Sequence, residues 1–128
     1  MNARVTTGVD VVDIDRFALS LERTPTLRRR LFAEAELEGI GGSVASLAAR
    51  FAAKEATMKA LGVGLGGVDF YDISVAKEAS GAPRLVLSGR ALELAGEQGW
   101  QSHSLSLSHS KTVAIAVVVA QARFPAAG

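Results

Sequence analysis

Residues 49–62 have the sequence ARFAAKEATMKALG, and this stretch predicts the helix around which the chain is organised. Ala, Leu and Met are strong helix formers, and Gly62 suits the left-handed position that follows a helix C-terminus. Residues three and four apart are neighbours on a helix, so Glu55 and Lys59 share one face. Arg50 and Lys54 share an adjoining face for the same reason. The apolar side chains that we expect in the core are Leu47, Phe51, Met58 and Leu61.

Two interpretations of this charged helix remain open from the helix alone. In the first, the charges form solvated links between neighbouring turns, which is the common outcome of such patterns. In the second, Glu55 is a metal ligand and the basic side chains hold the anionic oxygens of a phosphate. The rest of the chain favours the second interpretation.

Length and composition favour a single globular domain over residues 1–128. Apolar residues make up 48% of the chain and charged residues 21%, and the net charge of +1 gives no reason to expect nucleic-acid binding. The absence of cysteine excludes disulfides and thiolate metal sites. No signal peptide is visible, and the longest apolar run, 113–120, is far shorter than the roughly 20 residues of a membrane helix. We therefore expect a cytoplasmic protein that does not enter the membrane.

The N-terminal segment combines an apolar strand with an unexpected carboxylate. Residues 8–12 (GVDVV) predict a short, largely buried strand, within which Asp10 is the anomaly. A carboxylate in such a run must be paired, hydrogen-bonded or bound to a metal. Asp10 therefore either lies at an exposed strand end or is a metal ligand. A helix follows from Asp13, which suits the N-cap, to Leu21.

The remaining pattern predicts an α+β fold, with an antiparallel sheet packed against one long helix and shorter helices. After a break at Thr24-Pro25-Thr26, a second helix is expected over 27–32 and is expected to continue through Leu37. The long helix begins after Ser43. Strands are expected over 71–76, 84–87, 100–109 and 112–122, with a hairpin turn at 80–83, a helix over 89–96 and a frayed tail over about 124–128.

Two groups of polar residues suggest binding surfaces. Arg16, Arg23 and Arg28 to Arg30 concentrate positive charge in the first quarter of the chain, which suits a strongly acidic partner. Alternatively, these arginines are ordinary solvated side chains. His109 ends a strand at a polar turn, where binding sites are often built, whereas a surface role is expected for His103. Ser108 and His109 do not indicate a serine hydrolase, because no Gly-x-Ser-x-Gly elbow is present.

Three stretches together resemble one family. They are GVDVVDIDRF at 8–17, RFAAKEATMKALG at 50–62 and LSLSHS at 105–110, with a weaker match in the GAPR turn at 81–84. The chain resembles the holo-acyl-carrier-protein synthases, the small bacterial class of 4′-phosphopantetheinyl transferases. The resemblance implies transfer of the phosphopantetheine arm of coenzyme A to a serine of an apo-acyl carrier protein, with release of adenosine 3′,5′-bisphosphate, in fatty-acid or polyketide biosynthesis.

The same resemblance assigns roles to individual residues. Asp10 and Glu55 would hold Mg²⁺, with Mn²⁺ as an alternative, against the diphosphate of coenzyme A. Two carboxylates suffice, because Mg²⁺ usually takes one or two of them and completes its shell with phosphate oxygens and water. Lys59 would stabilise the transferring phosphate. Arg50, Lys54 and His109 would be coenzyme A contacts, and Lys59 also belongs to that set. The nucleophile is the partner's serine, and a carboxylate is the candidate for the general base.

The resemblance also implies two protein partners. Arg16 matches the family position on the helix that meets the acidic acyl carrier protein, and Arg23 and Arg28 to Arg30 join it on the basis of charge alone. The family forms homotrimers with active sites between subunits, so we expect apolar strands of one copy to be covered by the next.

Two rival interpretations share these residues. A different Mg²⁺-dependent phosphate or nucleotide transferase would use Asp10 and Glu55 with another acceptor. A non-catalytic trimeric module would bind an acidic protein through its arginines. An assay with apo-carrier protein separates the first rival, and the effect of Glu55→Ala on activity against binding separates the second.

Overall fold

The fold is a computed structural model that describes residues 2–40, 42–64 and 66–124. Its strands are β1 (Asn2–Asp13), β2 (Ile73–Lys77), β3 (Pro83–Leu87), β4 (Trp100–His109) and β5 (Val113–Phe124). Its helices are α1 (Ile14–Arg23), α2 (Leu27–Leu31), α3 (Glu34–Glu38), α4 (Val44–Leu61) and α5 (Gly89–Glu97), with one 3₁₀ turn at Phe70–Asp72. This content confirms the α+β prediction.

Helix α4 begins and ends where its local sequence specifies. The Ser43 side chain accepts a hydrogen bond from the Ser46 N–H, and Gly62 closes the helix in the left-handed conformation with a φ of 74°. A side chain with a Cβ would be strained at that φ, whereas glycine is not. Both predicted ends of the helix are confirmed.

Strands β1, β5 and β4 form an antiparallel sheet in that order, and α4 covers one face of it. The small buried side chains of α4 let the helix approach the sheet closely. At the point of closest approach lies Gly8, where an added Cβ would stand 1.8 Å from the Ala56 carbonyl oxygen. A hydrogen bond of 2.8 Å from Thr6 Oγ1 to the Ala60 carbonyl adds a second link. These two contacts hold β1 against the C-terminal half of α4.

The opposite face of the same sheet is apolar and uncovered in the single chain. We call it the valine face, and it consists of Val5, Val9, Val11, Val117 and Val119, all between 36% and 60% exposed. The prediction of a short, largely buried first strand was wrong. The strand is twelve residues long and only one of its faces is buried, because an apolar run does not reveal by itself whether both faces are covered.

Two other predictions are corrected in part. The helix expected over 27–37 is divided into α2 and α3, because Phe32 is extended and its side chain is completely buried. The hairpin β2–β3 pairs as expected but forms a sheet of its own, separate from that of β1, β5 and β4. Strand β5 includes Phe124, and the rest of the predicted tail, 125–128, lies outside the described residues.

None of the helices in the described ranges has both the length and the apolar character needed to cross a membrane.

Candidate active site

Asp10 and Lys59 are brought together by the close packing of β1 on α4. The Lys59 ammonium lies 2.9 Å from Asp10 Oδ1 and donates a second hydrogen bond of 3.0 Å to the Val9 carbonyl. Lys59 is about half exposed, with 54% of its side chain accessible, whereas Asp10 is only 17% accessible. Asp10 is therefore not a freely solvated carboxylate at a strand end. It is a half-buried, paired carboxylate at the edge of a cleft.

Glu55 lies one helical turn before Lys59 and close to Asp10. Partial burial raises the pKa of Glu55, the negative charge of Asp10 raises it further, and the Lys59 ammonium acts in the opposite direction. The two carboxylates thus repel each other, and the ammonium is hydrogen-bonded to only one of them. A site of this kind favours an additional cation.

The cleft beside these residues has a volume of about 290 Å³. Its polar lining includes Asp10, Glu55, Asp13 and Arg16. Phe17 of α1 stacks on Phe51 of α4 at a centroid distance of 5.2 Å and forms the apolar side of the cleft. Asp13 caps α1 through a 2.9 Å hydrogen bond from the Arg16 N–H, as its sequence position predicts. The cap fixes the start of α1 next to the carboxylates.

The residues present fit a bound Mg²⁺. In the described part of the chain there is no cluster of three or more His, Cys, Asp or Glu that could hold a metal. Mg²⁺ does not require one, because it usually keeps water and takes oxygens from a phosphate substrate. Two hard oxygen donors, Asp10 and Glu55, line the same open cleft and raise each other's electrostatic energy. We identify this pair as the candidate metal ligands.

One arginine of the predicted basic face, Arg16, lies at the same cleft. Arg16 is exposed on α1 and lines the cleft directly. Arg23 is exposed in the last turn of α1, and Arg28 is half-buried in α2, with Arg29 and Arg30 exposed next to it. Of these arginines, Arg16 is therefore the one that adjoins the carboxylates, and Arg29 lines a separate pocket with Phe32 and Tyr71.

Lys54 does not have the surroundings that the sequence suggested. Its side chain is 0% exposed, and its ammonium binds Glu36 Oε1 at 3.0 Å and the carbonyls of Phe70 and Ile73 at 2.8 and 2.5 Å. An ammonium has three N–H donors, and all three are used in the interior. Lys54 therefore has no free side for a coenzyme A phosphate, and we remove it from the candidate contacts. The i,i+4 spacing from Arg50 placed it on the correct helix face but did not show that this face is buried.

Arg50 and His109 do not line the cleft of Asp10 and Glu55. Arg50 is half-buried and donates one long hydrogen bond, 3.5 Å, to the Ser46 carbonyl. His109 is exposed at the end of β4, with Nδ1 3.1 Å from the Ser110 carbonyl. His109 and Val12 both pair with Ala114, so two strand spacings, about 10 Å, separate His109 from β1. Neither predicted contact therefore lines the cleft of the carboxylates in the described part of the chain.

Glu36 is a buried charged residue that the sequence patterns did not single out. Its side chain is 7% exposed and pairs with Lys54. The local signal is its position three residues after Ala33, whose N–H it accepts at 3.0 Å in the manner of a capping residue. Nothing in the sequence links it to Lys54, eighteen residues further on.

Comparisons with known proteins give one consistent result. A family model described as the 4′-phosphopantetheinyl transferase superfamily matches residues 6–118. The chain is similar to the holo-[acyl-carrier-protein] synthase of Streptomyces avermitilis, with 55% identity over 117 residues that cover 89% of this chain and 94% of that protein. It is 49% identical to the synthase of Beutenbergia cavernae over 114 residues, covering 89% and 95%.

The fold is similar to that of solved structures as well. The crystal structure of Helicobacter pylori holo-[acyl-carrier-protein] synthase in complex with coenzyme A matches with a TM-score of 0.80 and 35% identity, covering 89% of this chain and 98% of that one.

Proposed function

The chain belongs to the 4′-phosphopantetheinyl transferase superfamily and, within it, to the holo-acyl-carrier-protein synthases, and from this membership we propose its reaction in detail. It transfers the 4′-phosphopantetheine arm of coenzyme A to a serine of an apo-acyl carrier protein. The released product is adenosine 3′,5′-bisphosphate, and the reaction requires Mg²⁺, with Mn²⁺ as an alternative metal. The observation that carries the proposal is the convergence of Asp10 and Glu55 at one open cleft, with the Lys59 ammonium paired to Asp10.

Each residue of this cluster has a chemical role in the proposal. Asp10 and Glu55 hold the metal, which when bound neutralises the diphosphate of coenzyme A and so favours attack on it. The exposed ammonium of Lys59, oriented by Asp10 and the Val9 carbonyl, contacts the phosphate oxygens that gain charge as the bond to the leaving group breaks. The family relationship, the cleft shared by Asp10 and Glu55, and the Lys59–Asp10 ion pair support these assignments.

The proposed reaction forms one phosphorus–oxygen bond and breaks another. The serine oxygen of the carrier protein forms a bond to the phosphorus of the phosphopantetheine group. The bond from that phosphorus to the bridging oxygen breaks, and the electron pair leaves with adenosine 3′,5′-bisphosphate. The serine proton goes to a carboxylate of the cleft acting as general base. This chain needs no nucleophile of its own.

The basic face supplies the contact with the acidic carrier protein. Arg16 is the central residue of this contact because it is exposed on α1 at the rim of the catalytic cleft. Arg23 and Arg28 extend the positive surface away from the cleft. Complementary charge of this kind speeds the encounter and orients the partner.

The protein acts as a homotrimer with its active sites between subunits. Two observations support this part of the proposal. The valine face is apolar and uncovered in one chain, and such a face is usually covered by a partner. Arg50 and His109, the proposed coenzyme A contacts, do not line the carboxylate cleft of their own chain, which agrees with a site completed by a neighbouring copy.

The cellular setting follows from the reaction. Acyl carrier proteins serve fatty-acid or polyketide synthesis, and we propose that this synthase works with one of them in the cytoplasm. The single-domain extent, 1–128, agrees with a family match that reaches from residue 6 to residue 118.

Intact-mass spectrometry tests the reaction directly. An apo-acyl carrier protein incubated with this protein, coenzyme A and Mg²⁺ should gain the mass of one phosphopantetheinyl group. The gain should disappear with EDTA and with Glu55→Ala. A gain that persists in EDTA would contradict the metal requirement, and no gain with several carrier proteins would contradict the proposed acceptor.

A further inference from the structure

A buried ion pair that the proposed reaction does not use joins α3 to α4. Lys54 Nζ and Glu36 Oε1 are 3.0 Å apart, with side chains 0% and 7% exposed. The ammonium also links α4 to the 3₁₀ turn and to the start of β2 through the Phe70 and Ile73 carbonyls. A buried charge pair of this kind is retained only where both charges are well satisfied. Lys54 meets that condition.

Glu36 is satisfied only in part, because only one of its two carboxylate oxygens has hydrogen-bond donors among the described residues. Its Oε1 atom accepts two hydrogen bonds, from Lys54 Nζ and from the Ala33 N–H, each 3.0 Å long. Its Oε2 atom is buried and has no hydrogen-bond donor in the described part of the chain. A buried carboxylate oxygen without a donor is unfavourable and therefore needs an explanation.

Arg50 is the cation placed to provide that donor. It lies one helical turn before Lys54, on the same side of α4, and so faces the same region. Burial lowers the pKa of Arg50, and the charge of Glu36 acts in the opposite direction, so the two groups interact electrostatically. Within residues 2–40, 42–64 and 66–124, the guanidinium makes no ion pair and donates one hydrogen bond at the 3.5 Å limit. Most of its five N–H donors are therefore unused.

We propose that Glu36 is a positioning residue: one carboxylate oxygen neutralises Lys54, and the other orients the Arg50 guanidinium towards a phosphate group of coenzyme A. This inference rests on the proposed function, in which Arg50 contacts coenzyme A. A guanidinium can donate to Glu36 from one side of its planar fork and to a phosphate from the other. Orienting the side chain before binding removes part of the entropy that its immobilisation would otherwise cost.

Binding of coenzyme A, measured by titration calorimetry, tests this role without relying on turnover. The variants are Glu36→Gln, Glu36→Gln combined with Lys54→Met, and Arg50→Lys, with Glu34→Gln as the matched control on the exposed side of α3. The double variant removes the buried cation together with its partner, so its Tm should exceed that of Glu36→Gln alone. Its Kd for coenzyme A should nevertheless stay about fivefold to tenfold above that of the unchanged protein.

A role limited to neutralising Lys54 gives the opposite result. In that case the double variant binds coenzyme A as the unchanged protein does, and the inference is overturned. Arg50→Lys keeps the inference falsifiable even where the Glu36 variants do not fold: it keeps the charge but loses the fork, so its Kd should rise by a similar factor with little change in Tm. Unaltered binding by Arg50→Lys would contradict the inference. Failure of the unchanged protein to bind coenzyme A would instead overturn the proposed function, and this inference with it.

Discussion

At the scale of single residues, the chemistry depends on which charges are paired and which are not. Lys59 is hydrogen-bonded to Asp10 and not to Glu55, although Glu55 is its neighbour on the same helix. Glu55 is consequently a partly buried carboxylate that is repelled by Asp10 and has no hydrogen-bonded cation among the described residues. The site is therefore strained electrostatically until another cation enters.

Replacing Glu55 with Gln should separate activity from stability. Because the pKa of Glu55 is raised in the folded protein, its ionisation works against folding. In metal-free protein this penalty is absent below the unfolded pKa of about 4.3, grows as the pH rises through the folded pKa and is complete above it. Glu55→Gln should therefore be the more stable at pH 8 in EDTA, by less than about 1 kcal/mol in the free energy of unfolding once solvent screening is included, and its Tm should be correspondingly higher. Calorimetry at pH 8 and pH 4 measures the difference, which should disappear at the lower pH.

The same variant should lose activity. Loss of one of two protein ligands should reduce transfer by on the order of 100-fold or more. A variant that is both less stable at pH 8 and fully active would contradict the placement of Glu55 beside the repelling charge of Asp10 in the metal site.

Reversing the charge of Arg16 should weaken recognition of the carrier protein. Arg16→Glu places a negative charge at the rim of the cleft that meets an acidic partner. We expect the KM for apo-carrier protein to rise about tenfold at low salt, with the KM for coenzyme A unchanged, and the effect should shrink as salt screens it. Steady-state assays at two salt concentrations measure this. Lys77→Glu makes an equal charge change at an exposed position of β2 and is the control. An unchanged carrier KM for Arg16→Glu would refute the contact.

At the scale of elements, the site exists because β1 and α4 approach very closely. Gly8 permits that approach, since any Cβ there would overlap the Ala56 carbonyl. Asp10 is two residues further along the strand and Glu55 is next to Ala56, so the closest contact between the two elements directly determines the spacing of the candidate metal ligands.

Gly8→Ala should consequently damage both stability and the site. We expect a loss of at least about 2 kcal/mol in the free energy of unfolding, because backbone must move to admit the methyl group. Urea unfolding measures it. Gly96→Ala is the matched control, since a Cβ at Gly96 in α5 meets nothing within 4 Å and alanine is the better helix former, so that variant should be unchanged or slightly stabilised. Equal stability of the two variants would show that β1 and α4 are not in contact as described.

The elements also show which features the sequence could predict. The ends of α4 were predictable because Ser43 and Gly62 act on the backbone next to them. The break between α2 and α3 was not, because it follows from the burial of Phe32 in a core assembled from distant segments. The same limit applies to Lys54, whose helical spacing indicates a neighbour but not whether that face is solvated.

At the scale of the whole molecule, one face of the main sheet is apolar and exposed in a single chain. The valine face carries exposed apolar side chains on β1 and β5 while α4 covers the reverse side. The sequence indicated these strands, but neither periodicity nor composition shows which face of a sheet the rest of the chain leaves exposed. The resemblance to a trimeric family supplied that expectation.

A charge on the valine face should prevent assembly. Val9→Glu introduces a carboxylate in the middle of the face, where burial against another copy would be costly. Light scattering coupled to size exclusion should give a trimer for the unchanged protein and a monomer for Val9→Glu. Leu92→Glu, at a similarly exposed position on α5, should remain a trimer. A trimeric Val9→Glu protein would place the interface elsewhere.

The separation of His109 from the carboxylates within one chain has a genetic consequence. If one copy provides Glu55 and its neighbour provides His109 to the same site, two defective proteins can compensate for each other. Glu55→Ala and His109→Ala subunits, each impaired alone, would regain activity when unfolded and refolded together. With random association, roughly one interface in four would combine the intact halves. Such complementation between alleles cannot arise in an enzyme whose site lies within a single chain.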